Sequence, residues 1–117
     1  MRIVSVLQTR ALHELHHGSS EFKVEHVQAL QKQLAKWAPE ATFECLSDVD
    51  VPGVECTKLE HNWPGWWAKM NLFSPNMPGD FLFIDLDTVI IGPINDILAV
   101  DKLTLLRDFY RDGKKLR

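Results

Sequence analysis

Two aspartates, Asp85 and Asp87, interrupt the otherwise apolar run FLFIDLDTVII at residues 81–91. In a β-strand, the side chains at positions i and i+2 lie on the same face. A rise of about 3.3 Å per residue then separates the two carboxylates by roughly 6–7 Å. At an effective dielectric constant near 20, two negative charges at that distance repel each other by about 2.5 kcal/mol. We therefore expect either that the strand ends here and both groups reach water, or that a cation lies between them.

The elements that must position these residues alternate between predicted strands and helices. Apolar and β-branched runs predict five strands, the third at an edge of the sheet and the fourth at its centre. The predicted strands cover residues 2–8, 41–48, 51–60, 79–92 and 101–110. This alternation indicates βαβ units, and therefore an α/β fold with a Rossmann-like, mostly parallel sheet and flanking helices.

Two helices are predicted between these strands. The first is expected to begin at Ser19 or Ser20, as its N-cap, and to end before Pro39. Its apolar residues recur at helical spacing: Val24, Val27, Leu30, Leu34 and Trp37. The second is a short helix with Pro64 in its first turn and Pro75 at its end.

Polar residues follow three of the predicted strands. Thr9 and Arg10 follow the first strand, Ser47 and Asp48 come at the end of the second, and Asp85 and Asp87 come towards the end of the fourth. Ligands of parallel sheets bind beyond the carboxyl ends of the strands, so we expect these residues to gather at one edge. Polar residues also mark strand ends for purely structural reasons, and that interpretation is favoured for Thr9, Ser47 and Asp48 when each is taken singly.

The segment FLFIDLDTVIIGPI resembles the Asp-X-Asp motif of GT-A fold, nucleotide-sugar-dependent glycosyltransferases. The preceding WPGWWAKMNLF is similar to the short helix that leads into the motif strand in glycogenin-like and lipopolysaccharide-type members. The resemblance covers nearly the whole chain. It implies one nucleotide-sugar-binding domain of the GT-A type over residues 1–117, with a UDP-sugar favoured as the donor and Mn²⁺ or Mg²⁺ as the cofactor.

The resemblance also implies roles for individual residues. Asp87 would ligate the metal, Asp85 would share the ion or contact the ribose, and Lys69 would act as a point charge on the diphosphate. The other residues implied to bind the nucleotide sugar are Thr9, Arg10, Asp48, Arg107 and Asp108. For Lys69, Arg107 and Asp108, an ordinary solvated surface position is an equally good interpretation.

Members of this family are usually considerably longer, and their second half supplies a further metal ligand, the acceptor site and any catalytic base. We therefore expect this chain to correspond to the donor-binding half. An exposed sheet edge where the other half belongs would favour a homodimer. A related domain that binds or assembles without catalysing transfer is the alternative.

Two other motifs suggest different chemistry. DLDTVI also matches the signature of haloacid-dehalogenase-like phosphatases, with Asp85 as nucleophile and Asp87 as general acid/base. That motif normally lies on the first strand, whereas here only 30 residues follow Asp87. The His-Glu-X-X-His match at residues 13–17 could bind zinc on a helix, but Gly18 follows at once, and a polar loop is the simpler interpretation.

Net charge, the first residues and the cysteine and tryptophan positions bear on the kind of partner and environment of the chain. A formal net charge of −3 gives no support for nucleic acid or a membrane as partner, and the apolar run at the start is too short for a transmembrane segment or a signal peptide. Cys45 and Cys56 fit no metal spacing, so we expect buried thiols in a reducing cytoplasm. We expect Trp63, Trp66 and Trp67 to serve packing.

Overall fold

A computed structural model describes residues 1–9, 22–61, 65–77, 79–100 and 102–105. Four parallel strands form one sheet in the order β3-β2-β1-β4. The strands are β1 (Arg2–Leu7), β2 (Thr42–Ser47), β3 (Glu55–Lys58) and β4 (Phe81–Phe83). Helices flank this sheet, so the predicted α/β class and the parallel sheet are confirmed.

Three helical segments connect or follow the strands. They are α1 (Val24–Trp37), a 3₁₀ helix (Gly65–Phe73) and the single turn α2 (Asn95–Leu98). The first two lie in the connections from β1 to β2 and from β3 to β4. In the described ranges, no helix has the length and apolar character needed to cross a bilayer.

The strand β1 is buried on both faces and separates two apolar cores. Ile3 and Leu7 belong to the core that includes α1, whereas Val4 and Val6 belong to the core beside the 3₁₀ helix. Burial on both faces is the expected environment of a strand inside a parallel sheet. The sheet therefore depends on β1, which pairs with β2 on one side and with β4 on the other.

The predicted face of α1 is confirmed, but its predicted start is wrong. Val27, Leu30 and Leu34 are buried, and Val24 and Trp37 pack against the same core. The helix begins at Val24, with Lys23 as its N-cap, and not at Ser19 or Ser20. The side chain of His26 explains this start, because its Nδ1 atom accepts a hydrogen bond from the backbone N–H of Lys23 at 2.9 Å.

The predicted fourth strand is much shorter than expected and does not lie at the centre of the described sheet. β4 ends at Phe83, and within the described residues it pairs only with β1. The reason is a turn, in which the carbonyl of Asp85 accepts the N–H of Thr88 at 3.1 Å. The predicted edge position of β3 is confirmed. Residues 102–105 of the predicted last strand are not in a strand, and the rest of that segment lies outside the described residues.

Substitution of alanine for the two buried serines, Ser5 and Ser47, should change stability in opposite directions. The hydroxyl of Ser5 is buried without a hydrogen-bond partner in the described part of the chain, whereas that of Ser47 accepts the N–H of Val49 at 3.0 Å. Since an unsatisfied buried hydroxyl destabilises a fold, we expect Ser5→Ala to raise the free energy of unfolding by about 1 kcal/mol. We expect Ser47→Ala to lower it by about 1 kcal/mol.

Urea denaturation of the wild-type chain and both variants, with a common m-value, measures the two changes. A loss of stability in Ser5→Ala that matches the loss in Ser47→Ala would show that the Ser5 hydroxyl is hydrogen-bonded and would contradict the prediction.

Candidate functional site

The Asp-Leu-Asp segment forms a turn that begins as soon as β4 ends. The N–H of Ile84 still donates to the carbonyl of Val4 on β1 at 3.0 Å, and the Asp85–Thr88 hydrogen bond follows directly. Leu86, between the two acids, is buried in the core on the α1 side. Asp85 is half-exposed and Asp87 is exposed.

Asp85 and Asp87 therefore lie in a turn and not in a strand, so the distance between their carboxylates that was expected from strand geometry does not apply. Of the two arrangements considered from the sequence, the structure has the one in which the strand ends and both carboxylates reach water. The chain beyond the turn is held against α1, because the N–H of Ile90 donates to Oε1 of Gln33 at 2.6 Å. The turn is thus fixed on both sides, with its two carboxylates pointing outwards.

Lys69 of the 3₁₀ helix pairs with Asp85. Its Nζ atom lies 2.6 Å from Oδ1 of Asp85 and 5.7 Å from the centroid of the Phe83 ring. Both charged side chains are close to half exposed, at 42% for Lys69 and 46% for Asp85. An ion pair this exposed contributes at most about 1 kcal/mol to stability. Its main consequence is that the ammonium group of Lys69 and the carboxylate of Asp85 are held together at the protein surface.

The position of Lys69 follows from the geometry of the 3₁₀ helix, in which residues about three apart share a face. Ala68 and Asn71 form the buried face. The side-chain amide of Asn71 accepts the N–H of His61 at 2.8 Å and donates to the carbonyls of His61 and Ala68 at 2.9 and 2.7 Å. Leu72, on the face of Lys69, packs against the second core. These contacts fix the helix that carries the lysine.

The third face of this helix is apolar and exposed, contrary to the packing role expected for Trp67. Trp67 is 53% exposed, so the packing role expected for it is wrong. Met70 and Phe73 lie on the same face and are also exposed. The position of Trp67 follows from the 3₁₀ repeat, which places Ala68 and Asn71 inwards instead. Trp63 and the side chain of Trp66 lie outside the described part of the chain.

Thr9 and Asp48, predicted at the ends of neighbouring strands, contact each other. The backbone N–H of Thr9 donates to both carboxylate oxygens of Asp48, at 3.1 and 3.2 Å, and the Thr9 hydroxyl donates to Oδ2 at 2.6 Å. The N–H of Asp48 in turn donates to the carbonyl of Leu7 at 3.3 Å. Asp48 thus links the segments that follow β1 and β2 through hydrogen bonds.

The two polar pairs lie beyond the carboxyl ends of the parallel strands, on either side of β1. Thr9 and Asp48 follow β1 and β2, and Asp85 follows β4. The structure therefore brings together four of the predicted site residues in two pairs, with Asp87 next to one pair. The remaining predicted residues, Arg10, Arg107 and Asp108, lie outside the described residues, as does the His-Glu-X-X-His segment.

A further polar cluster, not predicted from the sequence, follows β3. Glu60 accepts hydrogen bonds from the hydroxyl of Ser74 and, at 3.0 Å, from the side-chain amide of Asn76. The hydrogen bond from Ser74, followed by the one from Asn76, lowers the pKa of the Glu60 carboxyl. His61 lies beside it, with 3.8 Å between its Nε2 atom and Oε1 of Glu60. The two neutral partners are 14 and 16 residues from Glu60, and no local sequence pattern links them to it.

Comparisons with known proteins give no family for this chain. No protein-family model matches it, and no curated protein and no solved structure matches it significantly. A function can therefore be inferred only from the arrangement of side chains at the carboxyl edge of the sheet.

In the Asp-Leu-Asp turn, Leu86 is buried in the core, whereas Asp85 and Asp87 are accessible to a ligand. Substitution of Leu86 and of Asp87 should therefore affect stability differently. We expect Leu86→Ala to lower the free energy of unfolding by about 2–5 kcal/mol, because it leaves a cavity in the core. We expect Asp87→Ala to change it by less than about 0.5 kcal/mol, because that side chain is exposed. Thermal and urea unfolding of both variants tests this contrast. A large loss of stability in Asp87→Ala would make its carboxylate a structural group.

Proposed function

We propose that this chain binds a nucleoside-diphosphate sugar at the carboxyl edge of its sheet, as the donor-binding part of a GT-A-type glycosyltransferase. The observation that best supports this proposal is the Lys69–Asp85 pair, which holds a cation and a carboxylate together where a parallel sheet binds ligands. Asp87 adds a second exposed carboxylate two residues away. A metal–diphosphate complex needs groups of both charges at one place.

The two aspartates are chemically suited to Mg²⁺ or Mn²⁺. Within the described ranges, no three His, Cys, Asp or Glu side chains are grouped so that they could hold an ion. Mg²⁺, however, is usually bound by one or two carboxylates, with water and substrate phosphates as its other ligands. Asp85 and Asp87 are two carboxylates that the burial of Leu86 leaves facing solvent. When bound, such an ion neutralises the charge that develops on a departing nucleoside diphosphate.

Lys69 would contribute a positive charge to diphosphate binding without leaving its present partner. An ammonium group has several N–H donors. One of them is directed to Asp85 at 2.6 Å, and others are available because the side chain is 42% exposed. Lys69 can therefore hold Asp85 in place while it donates to a phosphate oxygen.

In this proposal, the nucleoside would bind at the Thr9–Asp48 pair. Both oxygens of Asp48 accept from Thr9, but a carboxylate has about four lone-pair sites in total. A ribose hydroxyl, or the imino N–H of a base such as uracil, could donate to the remaining sites. Because this pair and the Lys69–Asp85 pair lie on either side of β1, one extended ligand could contact both.

We assign no catalytic base, so donor binding and glycosyl transfer are separate parts of the proposal. Release of UDP from a UDP-sugar, by transfer or by slow hydrolysis, would support an active transferase. Donor binding without release would support the non-catalytic alternative. Hydrolysis of a simple phosphate ester with a phosphoaspartate trapped at Asp85 would contradict both and indicate the phosphatase instead.

Calorimetric titration of the chain with UDP, with and without Mn²⁺, tests donor binding. We expect binding that requires Mn²⁺ and is lost in Asp87→Ala. We also expect Lys69→Gln to weaken it by about tenfold or more, because a charge-assisted hydrogen bond to phosphate is removed.

Asp80→Ala is the matched control for charge. Asp80 is exposed and precedes β4, so it lies at the amino end of the strand whose carboxyl end leads to Asp85. This variant should bind UDP and Mn²⁺ as the wild-type chain does. Equal losses in Asp80→Ala and Asp87→Ala, or no binding by the folded wild-type chain, would contradict the proposal.

A further inference from the structure

Cys45 and Cys56 lie directly opposite each other on neighbouring parallel strands. They are register partners in the pairing of β2 with β3. Adjacent strands are about 4.7–4.9 Å apart, which falls within the range of about 4.4–6.8 Å between Cα atoms that disulfides span. Cys45 belongs to the core on the α1 side and Cys56 packs against that core, so the two thiols are on the same face of the sheet.

The two thiols differ in their access to solvent. Both are free, with Cys45 fully buried and Cys56 only partly buried on the edge strand β3. Burial, and then the charge of Cys56, raise the pKa of Cys45 to about 12. Cys45 is therefore a protonated, protected thiol at neutral pH, whereas Cys56 can meet a small oxidant from solvent.

We propose that Cys45 and Cys56 form a dithiol that peroxide converts into a disulfide between β2 and β3. In the first step the Cys56 thiolate attacks the peroxide O–O bond, becoming a sulfenic acid as hydroxide leaves. In the second step the sulfur of Cys45 attacks the sulfenic sulfur, and the hydroxyl leaves as water with the proton of the Cys45 thiol. The two cysteines lose two electrons, and the peroxide, which is the oxidant, is reduced to water.

The position of each thiol suits its step. The partly buried Cys56 reacts first because the oxidant can reach it, and the fully buried Cys45 is already its partner in the register of the sheet. Oxidation of Cys56 to a neutral sulfenic acid also removes the charge that contributes to the raised pKa of Cys45. β3 lies at the edge of the described sheet, so it can move to meet the geometry of the S–S bond. This reaction does not depend on the proposed donor site.

Peptide mapping after treatment of the folded chain with dilute hydrogen peroxide tests the proposal. A protease specific for glutamate cleaves after Glu44, Glu55 and Glu60, which places the two cysteines in separate peptides, 45–55 and 56–60. We expect these peptides to be joined, with a loss of about 2 Da for the two hydrogens, and to separate on reduction with dithiothreitol. A gain of about 32 Da on Cys56, for sulfinic acid, or a dimer linked through Cys56 would overturn the proposal.

Two controls show whether the register of the sheet is responsible. In Cys45→Ala, the same treatment should carry Cys56 on to the sulfinic acid, because no thiol resolves the sulfenic acid. In urea, a smaller fraction of the oxidised Cys56 should end as the intramolecular disulfide and a larger fraction as sulfinic acid, because the second thiol is no longer held beside the sulfenic acid. An equal or larger fraction of disulfide in urea would overturn the proposal.

Discussion

The structure depends on the pairing of β1 with a parallel strand on each side. The neighbouring strands cover both edges of β1, and an apolar core covers each face, with Ile3 and Leu7 in the core that includes α1 and Val4 and Val6 in the core beside the 3₁₀ helix. Because all the strands run the same way, their carboxyl ends meet at one edge. Because β1 lies between β2 and β4, the polar residues that follow β2 and those that follow β4 lie on opposite sides of it.

At this edge, the burial of one neighbouring side chain in each element leaves the charged groups accessible to solvent. Leu86 enters the core, and the turn around it leaves Asp85 and Asp87 facing solvent. In the same way, burial of Asn71 fixes the 3₁₀ helix so that Lys69 meets Asp85 at 2.6 Å. The charged groups add little to stability, since they are about half exposed. We propose that a metal–diphosphate complex is the ligand that these groups bind.

The sequence predicted the features that repeat along the chain and missed those that depend on single contacts. Apolar runs and helical spacing predicted the parallel sheet and the buried face of α1, and the rule for carboxyl ends predicted that Thr9 and Asp48 would lie together. The early end of β4 was missed because the run continues through Ile91 although the backbone turns at Asp85. The Glu60 cluster was missed because its partners are neutral and distant in sequence. The GT-A resemblance stays a prediction, as does the homodimer.

The most direct test of the donor site is paramagnetic relaxation of backbone amides by Mn²⁺ in the ¹⁵N-labelled chain with UDP present. The account predicts that the amide signals of residues 85–88 broaden first, and that those of Thr9 and Asp48 shift when UDP is added with diamagnetic Mg²⁺. Asp87→Ala should abolish both effects while the rest of the spectrum is preserved. Broadening that spares residues 85–88, or that centres on exposed acids elsewhere such as Asp80 or Asp96, would contradict a metal–nucleotide site at the carboxyl edge of this sheet.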